Sequence, residues 1–232
     1  NENWLSYDFT FDVSSLSKEV ALSPFIMLLA PIIWCTGMIW AVDYMDKELN
    51  RSLKWIKRHL EDLYGRGFPG KIISFHEYEH TNTDSKQALY CNLRGDEKCL
   101  YGEIASGLKN LIIMDDLSVS AGERFNDHLQ LLTNKYDVDI VSSPNLRNIN
   151  FTELSKDYAD SFDMPPLLSY GAGLYALSYA VLPALLKRYA LVYLSPSSSS
   201  QKEYLWNGAA AVADNVQLSF CKFIGYDTPP SL

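Results

Sequence analysis

Cysteine is scarce in this chain, with four in 232 residues: Cys35, Cys91, Cys99 and Cys221. No two of them form a C-x-x-C pair, and so low a density excludes a disulfide framework. They read as buried thiols in a reducing compartment. Positive charge is also in deficit, since 20 Lys and Arg against 28 Asp and Glu leave a formal net charge of −8. A nucleic-acid backbone asks for a basic face, so nucleic acid is excluded as the main partner. The one basic group, Lys54, Lys57, Arg58 and Arg66, reads as the solvated side of an amphipathic helix. Internal repeats are lacking, and the only low-complexity stretch is the serine run at 197–200. Apolar side chains, by contrast, are plentiful. A hydrophobic content of 47% with 13% aromatics supplies a real core and excludes global disorder. One domain over 1–232 is expected, with a strand and helical portion over 1–70 and a sheet core with a C-terminal extension over 71–232.

The chain opens on Asn1, as expected of one that is trimmed, tagged or cut from something longer. Its single N-x-T sequon, Asn150-Phe151-Thr152, is a chance-level match and does not make the protein secreted. From Val20 to Val42 no residue is charged, and about 20 apolar residues suffice to span a bilayer. Lys47, Arg51 and Lys54 would suit a cytoplasmic flank. Pro24, Pro31 and Gly37 interrupt the stretch, however, and a buried strand or helix running into a second helix is the expectation. Membrane anchoring is the rival that this segment leaves open, and the expected localisation is cytoplasmic.

Alternation over Tyr7-Asp8-Phe9-Thr10-Phe11-Asp12-Val13 predicts a strand with one wet face. Over 38–64, Met38, Ala41, Met45, Leu49, Leu53, Ile56, Leu60 and Leu63 recur at three- and four-residue steps. They predict a helix, stopped by Gly65, Gly67, Pro69 and Gly70. β-like runs follow at 71–75, 88–93, 111–114, 138–141, 190–194 and 218–224, with helical periodicity at 123–135, 151–162 and 173–188. This alternation predicts an α/β fold with a mainly parallel central sheet flanked by helices. Ligands of such sheets bind beyond the carboxyl ends of the strands.

One such end carries Leu111-Ile112-Ile113-Met114-Asp115-Asp116-Leu117-Ser118-Val119-Ser120-Ala121-Gly122-Glu123-Arg124-Phe125. Four apolar residues make a buried strand, two carboxylates sit at its end, and a small-residue loop leads into a helix. Paired acids accept hydrogen bonds from ribose hydroxyls. Small residues let backbone N–H groups reach phosphate oxygens at a helix N-terminus. Upstream, Ala88-Leu89-Tyr90-Cys91-Asn92-Leu93-Arg94-Gly95-Asp96-Glu97-Lys98 is followed by Gly102 and Ile104-Ala105-Ser106-Gly107.

Together these segments, residues 88–125, resemble the PRPP-binding region of type I phosphoribosyltransferases of the orotate type. The resemblance implies that family's fold and, commonly, a homodimer. It implies that Asp115 and Asp116 hold the ribose, that the loop through Ser120, Ala121, Gly122 and Glu123 holds the 5'-phosphate, and that Arg94 and Lys98 form a lid over the departing pyrophosphate. The implied reaction displaces pyrophosphate from C1 of PRPP by a nucleobase nitrogen, with magnesium (Mg2+) bridging the pyrophosphate oxygens. A small-molecule sugar phosphate or nucleotide is then the expected partner. Glu123 stands where the family has Ser or Thr, and a carboxylate there repels a phosphate by about a kilocalorie per mole or more. One extra residue separates Lys98 from Gly102. The pyrophosphate loop has two candidates, the Gly37 region ahead of a helix at Met38, and Leu167-Leu168-Ser169-Tyr170-Gly171-Ala172-Gly173. A lapsed enzyme using the fold as a ligand-sensing or protein-binding module is the alternative to which Glu123 points.

His76-Glu77-Tyr78-Glu79-His80 matches the HExxH pattern of zinc proteases. That chemistry needs both imidazoles on one helix face. The flanks are strand-like, and two strand residues four apart stand about 13 Å from each other, so no shared metal is expected.

Overall fold

The structure is a computed structural model that describes residues 8–9, 12, 14–17, 21–81, 85–92, 108–115, 130, 132–142, 181, 184, 186–194 and 216–225. Nine strands run through them: β1 (Asp8–Phe9), β2 (Ile39–Asp46), β3 (Lys71–Tyr78), β4 (Gln87–Asn92), β5 (Asn110–Asp115), β6 (Asp137–Ser142), β7 (Leu191–Leu194), β8 (Gln217–Leu218) and β9 (Cys221–Gly225). Two long helices accompany them, α1 (Ser23–Thr36) and α2 (Lys47–Tyr64).

The main sheet has seven strands in the order β1-β6-β5-β4-β7-β9-β8. Its five central strands are mutually parallel, and antiparallel β1 and β8 close the edges. Strands buried on both faces read as continuous apolar runs, and β5 does so with Leu111, Ile112 and Ile113 fully buried. Leu89, Leu111 and Ile113 meet Leu132, Tyr136, Val138 and Tyr193 on one face. On the other, Ala88, Ile112, Val192 and Phe223 join a larger core with Val181, Ala184 and residues of α1 and α2. The α/β class with a mostly parallel sheet is as the strand and helix alternation predicted.

Among the described residues a second sheet holds β2 and β3, parallel and paired over Ile39↔Lys71 to Val42↔Ser74 and Tyr44↔His76 to Asp46↔Tyr78. With α2 between them they form a βαβ unit. Here the predicted helix over 38–64 is corrected, because residues 39–46 are a strand and the helix begins at Lys47. Steps of three and four between Met38, Ala41, Met45 and Leu49 imitate a helix, but Gly37 ends α1 with φ +75° and Asp46 caps α2, bracketing the strand. α2 ends where expected, at Gly65 in the left-handed conformation, with Arg66 N–H bonding the Glu61 carbonyl at 3.2 Å. The run at 218–224 is likewise not one strand: Ser219 and Phe220 turn the chain from β8 to antiparallel β9.

α1 is the charge-free segment. Its Ile26, Met27, Ala30, Ile33 and Trp34 are buried, alongside Ser23 and Pro24 at its start. A helix that is apolar nearly all round belongs in a core. Its 14 residues rise about 21 Å, short of the ~30 Å of bilayer hydrocarbon. Among the described residues no helix is long and apolar enough to cross a membrane.

Candidate functional site

From β4 the chain moves outward to β5 and β6, then returns to the other side of β4 for β7 and β9. The order reverses between β4 and β7, and in open α/β sheets ligands bind at such a reversal, beyond the carboxyl ends of the strands. β5 ends on Asp115, one residue past Met114, which is level with Asn92 at the end of β4. The two exits are thus neighbours, a strand spacing of about 4.8 Å apart. Arg94 follows the end of β4 by two residues, and Asp116 directly follows Asp115. The sheet brings the chain exits leading to Arg94 and Asp116 to the same edge. Arg94, Lys98, Asp116, Ser120, Ala121, Gly122 and Glu123 themselves lie outside the described residues, as does the 167–173 segment.

The other pyrophosphate-loop candidate is overturned. Gly37 does not lead into a helix; it closes α1 and precedes β2. The groups presented there are the last carbonyls of α1, whose partial negative charge repels phosphate.

A charged cluster built around one buried carboxylate occupies the opposite, amino-terminal edge of the sheet. Asp139 of β6 is 3% exposed. It accepts a hydrogen bond from the Tyr189 hydroxyl at 3.2 Å and pairs with Lys187 Nζ at 3.4 Å. Lys187 also reaches Asp137 at 3.4 Å. Burial raises the Asp139 carboxyl above the usual aspartate range, and the Lys187 ammonium opposes that shift. For Lys187 burial works downward, but Asp139 and Asp137 outweigh it and hold the ammonium above its ordinary value. Burial first, then Asp139, pushes the Tyr189 phenol upward. All three groups have partners, and the cluster fastens the helical turn at Ala184–Lys187 to the sheet, closed by Tyr189 N–H on the Ala184 carbonyl at 2.8 Å. The sequence carried one signal of it, an aspartate inside the apolar run 138–141.

Asp46 is a second buried carboxylate, and reading residues 38–64 as one helix hid it. It caps α2 by accepting from Leu49 N–H at 3.0 Å. It also accepts from the Ser219 N–H at 3.1 Å and from the Ser219 hydroxyl. The end of the βαβ unit is thereby tied to the β8–β9 turn.

His76 lies in β3 and His80 two residues beyond it, so the helix that the zinc motif requires is replaced by a strand. Their rings face different neighbours: His76 packs on Tyr44 (5.0 Å between centroids), His80 on Tyr78 (5.4 Å) and Phe220 (6.2 Å). Among the described residues no group of three or more His, Cys, Asp or Glu is placed to hold a metal. Cys35 and Cys221 are free thiols. Burial pushes Cys35 up to about 11 and raises Cys221 further, the opposite of an activated nucleophile.

Compared with protein-family models, curated proteins and solved structures, the chain finds no match in any of the three. What its structure defines is a class: mixed α/β with a mostly parallel, doubly covered sheet.

Proposed function

We propose that the chain binds a phosphorylated sugar, PRPP or a related sugar phosphate or nucleotide, over the carboxyl ends of β4 and β5, on a fold of the type I phosphoribosyltransferase kind. One observation carries this. The apolar strand that ends in Asp115 is buried, parallel on both sides, and exits beside β4, the strand that borders the reversal point of the sheet. Asp115 and Asp116 would accept hydrogen bonds from the ribose hydroxyls. The backbone N–H groups of Ser120, Ala121 and Gly122 would hold the 5'-phosphate. Arg94 and Lys98 would neutralise a departing pyrophosphate. Magnesium belongs to the substrate in this scheme, arriving on the pyrophosphate oxygens, and transfer of the phosphoribosyl group to a base nitrogen is the reaction such a site can run.

Glu123 favours a second form of the same proposal, in which the site binds its ligand as a sensor without turnover. Titration calorimetry with PRPP and magnesium tests both. Binding that Asp115→Asn weakens at least tenfold supports the site. Glu123→Thr removes a negative charge near a phosphate dianion and adds a hydroxyl, so it is expected to tighten binding several-fold, by about a kilocalorie per mole. Indifference to both substitutions would remove the proposal, and binding without pyrophosphate release in the presence of bases would select the sensor.

A further inference from the structure

Basic residues that lie far apart in the chain are gathered at the amino-terminal edge of the main sheet. Lys86 and Lys109 directly precede β4 and β5, Lys135 precedes β6 by two residues and Arg188 precedes β7 by three, while Lys222 is the second residue of β9. Backbone bonds hold these strand starts level: Asp137 N–H on the Lys109 carbonyl at 3.0 Å, Ala190 N–H on the Lys86 carbonyl at 2.9 Å, and Lys222 N–H on the Ala190 carbonyl at 3.0 Å. In the order β6-β5-β4-β7-β9, with about 4.8 Å between neighbouring strands, the five starts span about 19 Å. All five cationic residues are exposed. None pairs with a carboxylate among the described residues.

Two aspartates share this edge, Asp137 and Asp139, and Lys187 engages both. With both ionised that cluster carries −1, so with the five cations the described residues of the edge total +4 in a chain of −8, and the remainder of the chain carries −12. At the β9 end Glu79 comes near, since His80 N–H bonds Ser219 Oγ at 2.8 Å, but Lys47 pairs with it at 3.2 Å. Lys135 and Arg188 follow helical turns, where a cation complements the last carbonyls. Lys86, Lys109 and Lys222 follow no helix among the described residues, so the helix dipole does not account for them.

The partner that fits such an edge is anionic and broad. Four of the five cations are lysines, compact charges on flexible stems, whereas recognition of single carboxylates or phosphates favours the planar fork of arginine. Of the tyrosines at these strand starts, Tyr136 is half-buried and Tyr189 buried, so bases of a single strand find no platform to stack on. Strand ends offer neither the helix nor the ribbon that enters a duplex groove. The charge of −12 elsewhere calls for a partner that meets this edge alone, and a planar layer does so. The six residues of β5 rise about 17 Å, about twice the Debye length of ~8 Å at physiological salt, so the far edge is screened from the layer. We propose that the amino-terminal edge of the main sheet docks peripherally on an anionic membrane, with Lys86, Lys109, Lys135, Arg188 and Lys222 against acidic lipid headgroups. The carboxyl ends of the strands then stay in water.

Co-sedimentation of the full chain with lipid vesicles tests this. The chain is expected to bind mixed phosphatidylserine and phosphatidylcholine vesicles at low salt, to be released as salt rises, and to ignore pure phosphatidylcholine. Each lysine near an acidic surface contributes about fivefold to binding, so Lys86→Gln and Lys109→Gln together should weaken the partition roughly twentyfold. Neither side chain forms a hydrogen bond or ion pair with a described residue, so the unfolding midpoint of this variant should match the parent's. Lys54→Gln with Arg58→Gln removes the same charge from the exposed face of α2, outside the edge, and should weaken binding less than about twofold. Equal losses from the two pairs would mean that net charge alone acts, and would overturn the proposal. Absence of binding to phosphatidylserine vesicles at low salt overturns it as well. So does a chain that binds duplex DNA or polyglutamate through Lys86 and Lys109 in preference to the vesicles.

Discussion

β5 and β3 are both parallel strands of one chain, yet they live in different surroundings. β5 has a strand on each side and a core on each face, and its Leu111, Ile112 and Ile113 are all buried. β3 has one strand beside it among the described residues, and its Phe75 stands 65% exposed. Parallel pairing alone is a weak source of stability, and two strands without further support are marginal. The main sheet is held by burial on two faces. The βαβ unit is held by a few specific contacts at its ends, where Gly70 meets α1 and Asp46 meets the β8–β9 turn. The difference teaches where each half should break: the sheet only by removal of apolar volume, the unit by single backbone or polar changes.

Gly70 gives the largest expected effect. Its N–H bonds the Trp34 carbonyl at 3.1 Å, and a Cβ placed there would stand 1.6 Å from the Ile33 carbonyl oxygen and 2.5 Å from its carbon. Those are backbone atoms of the last turns of α1, and no rotamer relieves the clash. Gly70→Ala should cost more than about 3 kcal/mol, a large share of the ~5–15 kcal/mol that holds a domain together. Gly67→Ala is the control, since a Cβ there meets nothing within 4 Å, and it should stay within about 0.5 kcal/mol of the parent. Urea denaturation midpoints of the two variants decide the matter. Equal midpoints would mean that α1 and β3 do not approach as described.

Asp46→Ala comes next. It strands the Leu49 and Ser219 N–H groups in a buried place, where an unsatisfied donor costs about 1–3 kcal/mol, and it removes the cap of α2. A loss of about 2–4 kcal/mol is expected. Asp46→Asn keeps one acceptor oxygen and should lose about half as much. If the two variants unfold alike, the bonds to Ser219 contribute nothing beyond the cap.

The same contrast explains what the sequence made legible. β4, β5, β6 and β7 were visible because a strand covered on both faces must be apolar at successive positions, and such runs as Leu111–Met114 admit few alternatives. β2 was not visible. Its buried positions are Val42, Met45 and Asp46, neither a clean alternation nor a continuous run, and Met38, Ala41 and Met45 extended the real period of α2 backward across Asp46. The cues that separate the two elements are local, Gly37 as a left-handed cap and Asp46 as an acceptor, and they carry weight only once helix ends are sought individually. At the candidate site, the strand ending in Asp115 and its place beside β4 follow from the apolar run and from strand–helix alternation. The contacts of the following loop depend on backbone geometry that residue types do not encode one by one.

The smallest effect lies in the main sheet, at Asp139, and its sign is the informative part. Burial raises this carboxyl above its ordinary 3.8, and the opposing pull of Lys187 does not cancel the rise. The native chain therefore keeps the Asp139 proton to higher pH than the unfolded chain does. Between 3.8 and the raised native value the folded state binds more protons, so this group's contribution to stability falls as pH rises through that window and is level above it. Lys187 acts at the other end of the scale. Its raised value means that its contribution is fully present below the ordinary 10.5 and is lost as pH climbs through the higher native value. Asp139→Asn keeps an acceptor for the Tyr189 hydroxyl and deletes the buried charge. At neutral pH it should lie within about 1 kcal/mol of the parent, because desolvation of the carboxylate offsets its attraction to a half-exposed ammonium. Thermal unfolding followed from pH 3 to pH 8 should show the variant lacking the parent's decline above 3.8. A neutral-pH loss of about 3 kcal/mol or more would show that the pair with Lys187 outweighs burial, and would make the amino edge of the main sheet as dependent on single polar contacts as the βαβ unit is.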